Sequence, residues 1–312
     1  MATNPQGAVL NQGLTNYAFQ IVPDYDAIMA EAFFMAPRVV TGAKKGEFSI
    51  FDSKQAFLEY DSRRSLGGPR TRIKFAGTTG TYGNTPVGLE IGLDDDEVES
   101  ESSRPKQEQA KVRTLMANWA NSRFGRVWTA ATTSGNYTAS TVTNSGKWSD
   151  ANIDPIKVLD DEIVAFVNRT GRMPNRGILA LDNWVTLRNH PEVIKRQPGA
   201  ANIGISLTQL SAMLAAPIEF RLNKTYIGTT GFGSSTNTKQ AKVKGYAMLW
   251  LANDVPTLED PSWLKTTSME MNGFSGIKQY RDDTCNSDIY YLDDNEDVVC
   301  ASALCATLIT IS

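Results

Sequence analysis

The spacing of apolar residues changes along this 312-residue chain, and the change predicts its elements. From about residue 105 to 128, Val112, Leu115, Met116 and Trp119 recur at i, i+3, i+4 and i+7, which gathers them on one helical face. Pro105 suits a first helical turn, where its missing N–H costs nothing. Arg123 and Arg126 then intrude on the apolar face and Gly125 weakens it, so the far end is expected to bend or meet a second surface. At 1.5 Å per residue such a helix is about 36 Å long.

A second stripe, Ile156, Leu159, Ile163, Phe166 and Val167, follows the cap Asp154-Pro155 and stops at Gly171. A short strand is expected over 178–181. Asp182 then caps a helix through Leu187, ended by Asn189-His190-Pro191. Ser206 and Gln209 form a capping box for a further helix through Leu214. Strands over 218–222 and 243–252 flank a Gly/Ser/Thr/Asn-rich loop at 228–238, making a helix-and-strand body from about residue 150. The last sixty residues return to strands, over 268–271, 277–280, 289–292 and 298–311.

The first third reads differently. Residues 1–35 lack Lys and Arg and predict an extended arm ending in a short apolar segment, 27–34, before Pro37. Segments 47–51 and 72–75 alternate like strands, with the turn signal Gly67-Gly68-Pro69 between them. Residues 76–93, rich in glycine and threonine, are too open for a dense core and predict a long two-stranded excursion away from the body. Residues 130–146 read as a polar connector.

Charge is arranged in blocks. Residues 44–74 hold eight basic and four acidic residues, whereas 90–101 hold seven acidic residues and no basic one. Two readings stand: solvated surface, or a basic projection that docks on an acidic patch of a neighbouring copy. The formal net charge of -3 excludes a strongly cationic grip on nucleic acid. The first basic residue is Arg38, which argues against a secretory leader, and 298–311 falls short of the roughly 20 apolar residues that span a bilayer. Cys285, Cys300 and Cys305 form no CxxC pair and fit a reducing cytoplasm.

Catalytic chemistry is sparse. His190 is the one histidine, and no GxSxG elbow accompanies it. Bonding of a helix-end carbonyl by His190 is favoured over the alternative, a base in an α/β hydrolase. The acidic runs Asp94-Asp95-Asp96-Glu97 and Asp293-Asp294-Asn295-Glu296-Asp297 lack EF-hand spacing and read as surface acidity. Gly228, Gly231 and Gly233 lack the Walker lysine and read as a flexible loop. No residue is assigned a catalytic, cofactor-binding or metal-ligating role, and no cofactor is expected.

The order of elements and six local motifs resemble the tailed-bacteriophage major capsid proteins of the Hong Kong 97 fold. The motifs are APRV at 36–39, GEFSIFD at 46–52, VGLEIGLDDDEVES at 87–100, WSD at 148–150, DPI at 154–156 and RTGRMPNRGILALDNWVTLRNHPEV at 169–193. The resemblance implies an α+β capsid fold: an N-terminal arm (1–40), an extended β-hairpin loop (41–101) and a peripheral domain with a long spine helix (102–149). An α/β axial domain (150–260), further peripheral strands (261–294) and a C-terminal strand returning toward the axial domain (295–312) complete it. It also implies a non-enzymatic protein that self-assembles into hexamers and pentamers of an icosahedral head around double-stranded DNA, touched only by weak non-specific contacts. Scaffolding, portal and decoration proteins are the further partners, with no membrane. The expected location is the virion, after assembly in the host bacterial cytoplasm. An encapsulin-like nanocompartment shell is the nearest alternative. The long helical scaffolding segment of some family members is not seen at the N-terminus, so a separate scaffolding protein, or prior removal, is expected.

Overall fold

The computed structural model describes residues 7–50, 62–64, 66, 68, 70, 78–98, 100, 102–141, 147–196, 204–223, 225–228, 236, 238–269 and 275–311, with backbone alone at 22–30 and 139–141. In chain order its elements begin with strand β1 (Val9–Leu10), helix α1 (Gln12–Met35), β2 (Arg38–Val40), β3 (Lys45–Ile50), β4 (Thr78–Gly83) and β5 (Thr85–Asp94). The long helix α2 (Arg104–Thr132), β6 (Thr138–Thr141), α3 (Pro155–Thr170), β7 (Arg176–Leu179), α4 (Leu181–Arg188), α5 (Pro191–Lys195) and α6 (Leu207–Met213) follow. The chain closes with β8 (Glu219–Leu222), β9 (Tyr226–Gly228), β10 (Lys239–Ala241), β11 (Tyr246–Trp250), β12 (Leu264–Ser268), β13 (Lys278–Asp282), β14 (Ser287–Cys300) and β15 (Ala306–Thr310).

Two sheets organise the molecule. One is a mixed five-stranded sheet in the order β6-β15-β11-β7-β8. Its strands alternate faces, and both faces are buried. Met248, Trp250 and Leu308 enter one core with Phe124, Trp128 and Trp263, while Ala247, Leu249 and Ile309 enter a second with Ile156, Leu159 and Trp184. Asp154 caps α3 through Ile156 N, Gly171 ends it at φ 64°, and the Ser206–Gln209 capping box opens α6.

The other sheet is built on β14, which pairs with β12, β13 and, over its residues 287–296, β5; β1 and β2 lie at the edges. A third core lies between this sheet and the helix pair α1 and α2, and holds Leu14, Ala18, Ile21, Val112, Met116, Trp119 and Tyr290.

Several expectations are corrected. The extended arm over 1–35 is a 24-residue helix from residue 12, because Leu14, Ala18 and Ile21 recur at i, i+4 and i+7 and pack on α2. Asn11 caps it, its side chain accepting from Leu14 N. The excursion over 76–93 is not free of the body: β5 runs along β14, turning Leu93 into the core. The connector over 130–146 contains the end of α2 and strand β6, parallel to β15. The strands expected at 289–292 and 298–311 are instead one strand to Cys300, a single 3-10 turn at Ala303–Cys305, then β15. The strand expected at 268–271 lies earlier, at Leu264–Ser268. Asp182 does not cap α4; it sits in the first turn behind Ala180. The strand expected at 72–75, Gly67 and Pro69 of the expected turn, and the glycines at 231 and 233 lie outside the described residues.

Candidate functional site

The two arginines that interrupt the apolar face of α2 find their partners on β14. Asp294 and Glu296 are two residues apart on a strand and so point to one side, into that face. Arg123 Nε donates to Glu296 Oε2 at 2.9 Å and Arg123 Nη2 to Asp294 Oδ2 at 3.0 Å. Arg126 Nε reaches Glu296 Oε1 at 3.0 Å. Arg123, Asp294 and Glu296 are all at most 3% exposed. The Arg123 guanidinium also lies over the rings of Phe33 and Trp119, 5.2 and 5.1 Å from their centroids.

The cluster reaches two further segments. Ser268 Oγ at the end of β12 donates to Asp294 Oδ1 at 3.0 Å, and Arg38 Nη2 at the start of β2 donates to Ser268 Oγ at 2.7 Å. Burial, helped by the neighbouring Glu296 carboxylate, raises the Asp294 pKa against the pull of Arg123. Burial pushes Glu296 the same way, but Arg123 and Arg126 outweigh it and hold its carboxyl below the ordinary value. What the cluster does is mechanical: one knot ties α2, β14, β12 and β2.

A second knot closes the base of the β3–β4 pair. Asn84 Nδ2 donates to Thr41 Oγ1 at 2.8 Å, Thr267 Oγ1 donates to Asn84 Oδ1 at 2.7 Å, and Gly83 N donates to Asp297 Oδ2 at 3.0 Å. Phe48 and Tyr82 pack against Val299 and Ala301. Each ring also covers a glycine on the facing strand. A Cβ at Gly80 would lie 2.5 Å from the Phe48 ring, and one at Gly46 2.5 Å from the Tyr82 hydroxyl. Glycine is needed here because the rings occupy the space.

The end of α1 is held by a third set of contacts. Buried Glu31 accepts from Asn223 Nδ2 and Thr225 Oγ1, both at 3.2 Å. Phe34 meets the guanidinium groups of Arg176 and Arg221, whose centres stand 4.9 and 4.1 Å from its ring centroid, and its carbonyl accepts from Arg176 at 2.8 Å.

His190 does not bond a helix-end carbonyl. It caps the next helix, its Nδ1 accepting from Glu192 N at 3.2 Å, which leaves Nε2–H to donate to the Asp150 carbonyl at 3.0 Å. Both ring nitrogens of this buried side chain are thus committed to backbone. The run at 94–97 is tied within the chain too. Asp94 caps a 3-10 turn, Asp95 pairs with Arg281 and Arg104, and Glu97 pairs with Lys111. In the run at 293–297, Asp294 and Glu296 are core partners rather than surface acidity. No group of three metal-ligating side chains is present among the described residues.

The sequence flagged Arg123 and Arg126 and an acidic run, but did not join them. The available signal was the i, i+2 placement of Asp294 and Glu296 within a strand-forming stretch. Glu31 was missed because it lies in the segment read as an extended arm.

No protein-family model and no curated protein matches the chain. Solved structures match it nearly end to end. A phage-related protein from Bordetella bronchiseptica RB50 superposes with a TM-score of 0.73 at 18% identity, covering 98% of each chain. The capsid of the cyanophage P-SCSP1u gives 0.52 at 12% identity, covering 89% of this chain and 86% of that one. A virus-like particle from Pyrococcus furiosus gives 0.51 at 5% identity, covering 96% and 98%. At these identities, what is shared is the fold.

Proposed function

Since this chain has the fold of the tailed-phage major capsid proteins, we propose that it is the major subunit of an icosahedral phage head, assembling as hexamers and pentamers around double-stranded DNA. The observation that supports this reading is the extent of the likeness: the fold is shared along nearly the whole chain. In this reading residues 1–40 are the arm, 41–101 the extended loop, 102–149 and 261–294 the peripheral domain, 150–260 the axial domain and 295–312 the returning C-terminal strand.

The physics of the chain suits a shell. A subunit in a lattice must keep its shape while many weak contacts act on it together. The buried Arg123–Glu296 knot and the Asn84 network supply that stiffness at the joints between segments. A net charge of -3 lets packaged DNA touch the inner wall without being held by it. Scaffolding, portal and decoration proteins complete the proposed assembly in the host cytoplasm. Among the described residues no helix is long and apolar enough to cross a membrane.

Expression of the chain in a bacterium, with purification by size and imaging by electron microscopy, tests the reading. Closed particles of uniform diameter are expected, holding DNA when the packaging partners are supplied. Particles that enclose a protein cargo instead would mean a nanocompartment shell, and a chain that stays monomeric under every assembly condition would overturn both.

A further inference from the structure

One end of the five-stranded sheet carries an uncovered apolar cleft, and the other carries an apolar knob. The cleft, of about 560 Å³, lies between α4 and the β9–β10 pair. Leu181 and Val185 sit one turn apart on α4 and are 41% and 52% exposed; Tyr226, 45% exposed, faces them from β9. Two strands alone bury little, so this pair gains much from a covering partner. The rim carries two lysines and one carboxylate, Asp182, for a net charge of +1. Lys239 and Lys244 line it and are exposed, and neither has an ion pair among the described residues.

The knob is the loop between β11 and β12. Val255, 76% exposed, stands at its tip beside Pro256. The loop is held from within: Asn253 N donates to Ser262 Oγ at 2.9 Å, Thr257 N to Asp260 Oδ2 at 2.5 Å, and Ser262 N to Asp260 Oδ1 at 2.7 Å. Asparagine 175 clamps its root, bonding both the N–H and the carbonyl of Ala252. A tip ordered in advance loses little freedom on docking. Its flanks are acidic, with Asp254 paired at its base to Arg176 and Glu259 exposed.

Cleft and knob match in character and in charge, yet they cannot meet within one chain. Strand β11 runs between them, with Tyr246 at the cleft end and Trp250 at the knob end, about 13 Å apart at 3.3 Å per residue. We infer that the Val255–Pro256 knob of one copy seats in the Leu181–Val185–Tyr226 cleft of the next, with Asp254 and Glu259 set against Lys239 and Lys244. Such a contact joins two different surfaces, so it repeats head to tail and closes into a ring when the rotation per copy allows. The inference rests on the shell reading and names one contact inside its rings.

Charge reversal in both directions tests it. Lys239→Glu with Lys244→Glu, and separately Asp254→Lys with Glu259→Lys, should each cut the yield of closed particles at least tenfold. The chain carrying all four changes should recover most of it. Circular dichroism and thermal melting of each unassembled variant show that the fold survives. As a second readout, Val185→Cys with Val255→Cys, in a Cys285→Ser background, should give a ladder of disulfide-linked multimers on oxidation of assembled particles. If the unaltered chain assembles but the reversals do not lower the yield, or the fourfold variant is not rescued, or the double cysteine gives no ladder, this contact is wrong while the shell reading stands. If the unaltered chain forms no particles, the shell reading fails first and takes this contact with it.

Discussion

Arg123 on the longest helix and Glu296 on the longest strand meet in the interior, Nη2 and Nε each within 3 Å of the same carboxylate oxygen. They lie 173 residues apart in sequence, so the contact pins together segments that no local interaction relates. Breaking a buried pair by removing one partner costs about 3–5 kcal/mol, because the other charge is stranded. Arg123→Met is therefore expected to lower unfolding stability by roughly that amount. Urea melts of the unassembled chain provide the measurement.

The two carboxylates of the knot respond to pH with opposite sign. Glu296 has its pKa lowered by folding, so it adds stability above its unfolded pKa that is lost as pH falls through the folded one. Asp294 has its pKa raised, so its ionised form costs stability above the folded pKa, and that cost disappears as pH falls below it. At neutral pH Glu296→Gln is thus expected to destabilise more than Asp294→Asn. The gap should close as acid protonates Glu296 in the parent protein, which melts across pH 3 to 7 would reveal.

Gly80 and Gly46 should resist enlargement. Valine at either position pushes a branched side chain into the Phe48 or Tyr82 ring, and overpacking of this kind typically costs about 1–3 kcal/mol. Faster hydrogen exchange over 45–50 and 78–83, with the sheet of β14 unaffected, is the expected signature. Uniform loosening of the whole molecule would contradict it.

Replacing Glu31 by alanine leaves Asn223 and Thr225 without their buried acceptor, a loss of about 1–3 kcal/mol. The end of α1 should then exchange amide hydrogens faster than α2. His190→Ala removes a helix cap and is expected to cost about 0.5–2 kcal/mol, with no other consequence for assembly. A particle yield unchanged at lower melting temperature is the result to look for.

Shortening the segment between β3 and β4, by replacing residues 55–75 with a few glycines and serines, removes chain beyond the Asn84 knot while sparing the knot itself. Monomer stability is expected to hold within about 1 kcal/mol, since closing a shorter connection between the same two strands changes chain entropy only weakly. Shell formation is expected to stop. Particles of normal diameter from this variant would show that the segment is not needed between copies.

The body was legible because local signals and tertiary packing agree there. The Asp154 cap, the Ser206–Gln209 box and Gly171 at positive φ all act within one turn and are visible without the fold. The N-terminal helix was not legible, since Pro23 and its many small or amide residues argue against a helix, and the stripe Leu14, Ala18, Ile21 gains its meaning only from α2. The acidic run at 293–297 was misread for a related reason: two of its members are buried by arginines on an element far away in sequence. Long-range pairing of charges leaves little trace in local composition.

Strand β14 also has a consequence through its length alone. Arg123 grips it at Glu296, and nine residues at about 3.3 Å each leave an arm of roughly 30 Å from there to Ser287, at the turn after Asp282. A tilt of about 5° at the grip would carry that turn through roughly 2.6 Å, about half the gap between neighbouring strands. Slight changes in how the helix seats would therefore be felt most at the far turn of β14, while the residues close to Glu296 hardly move.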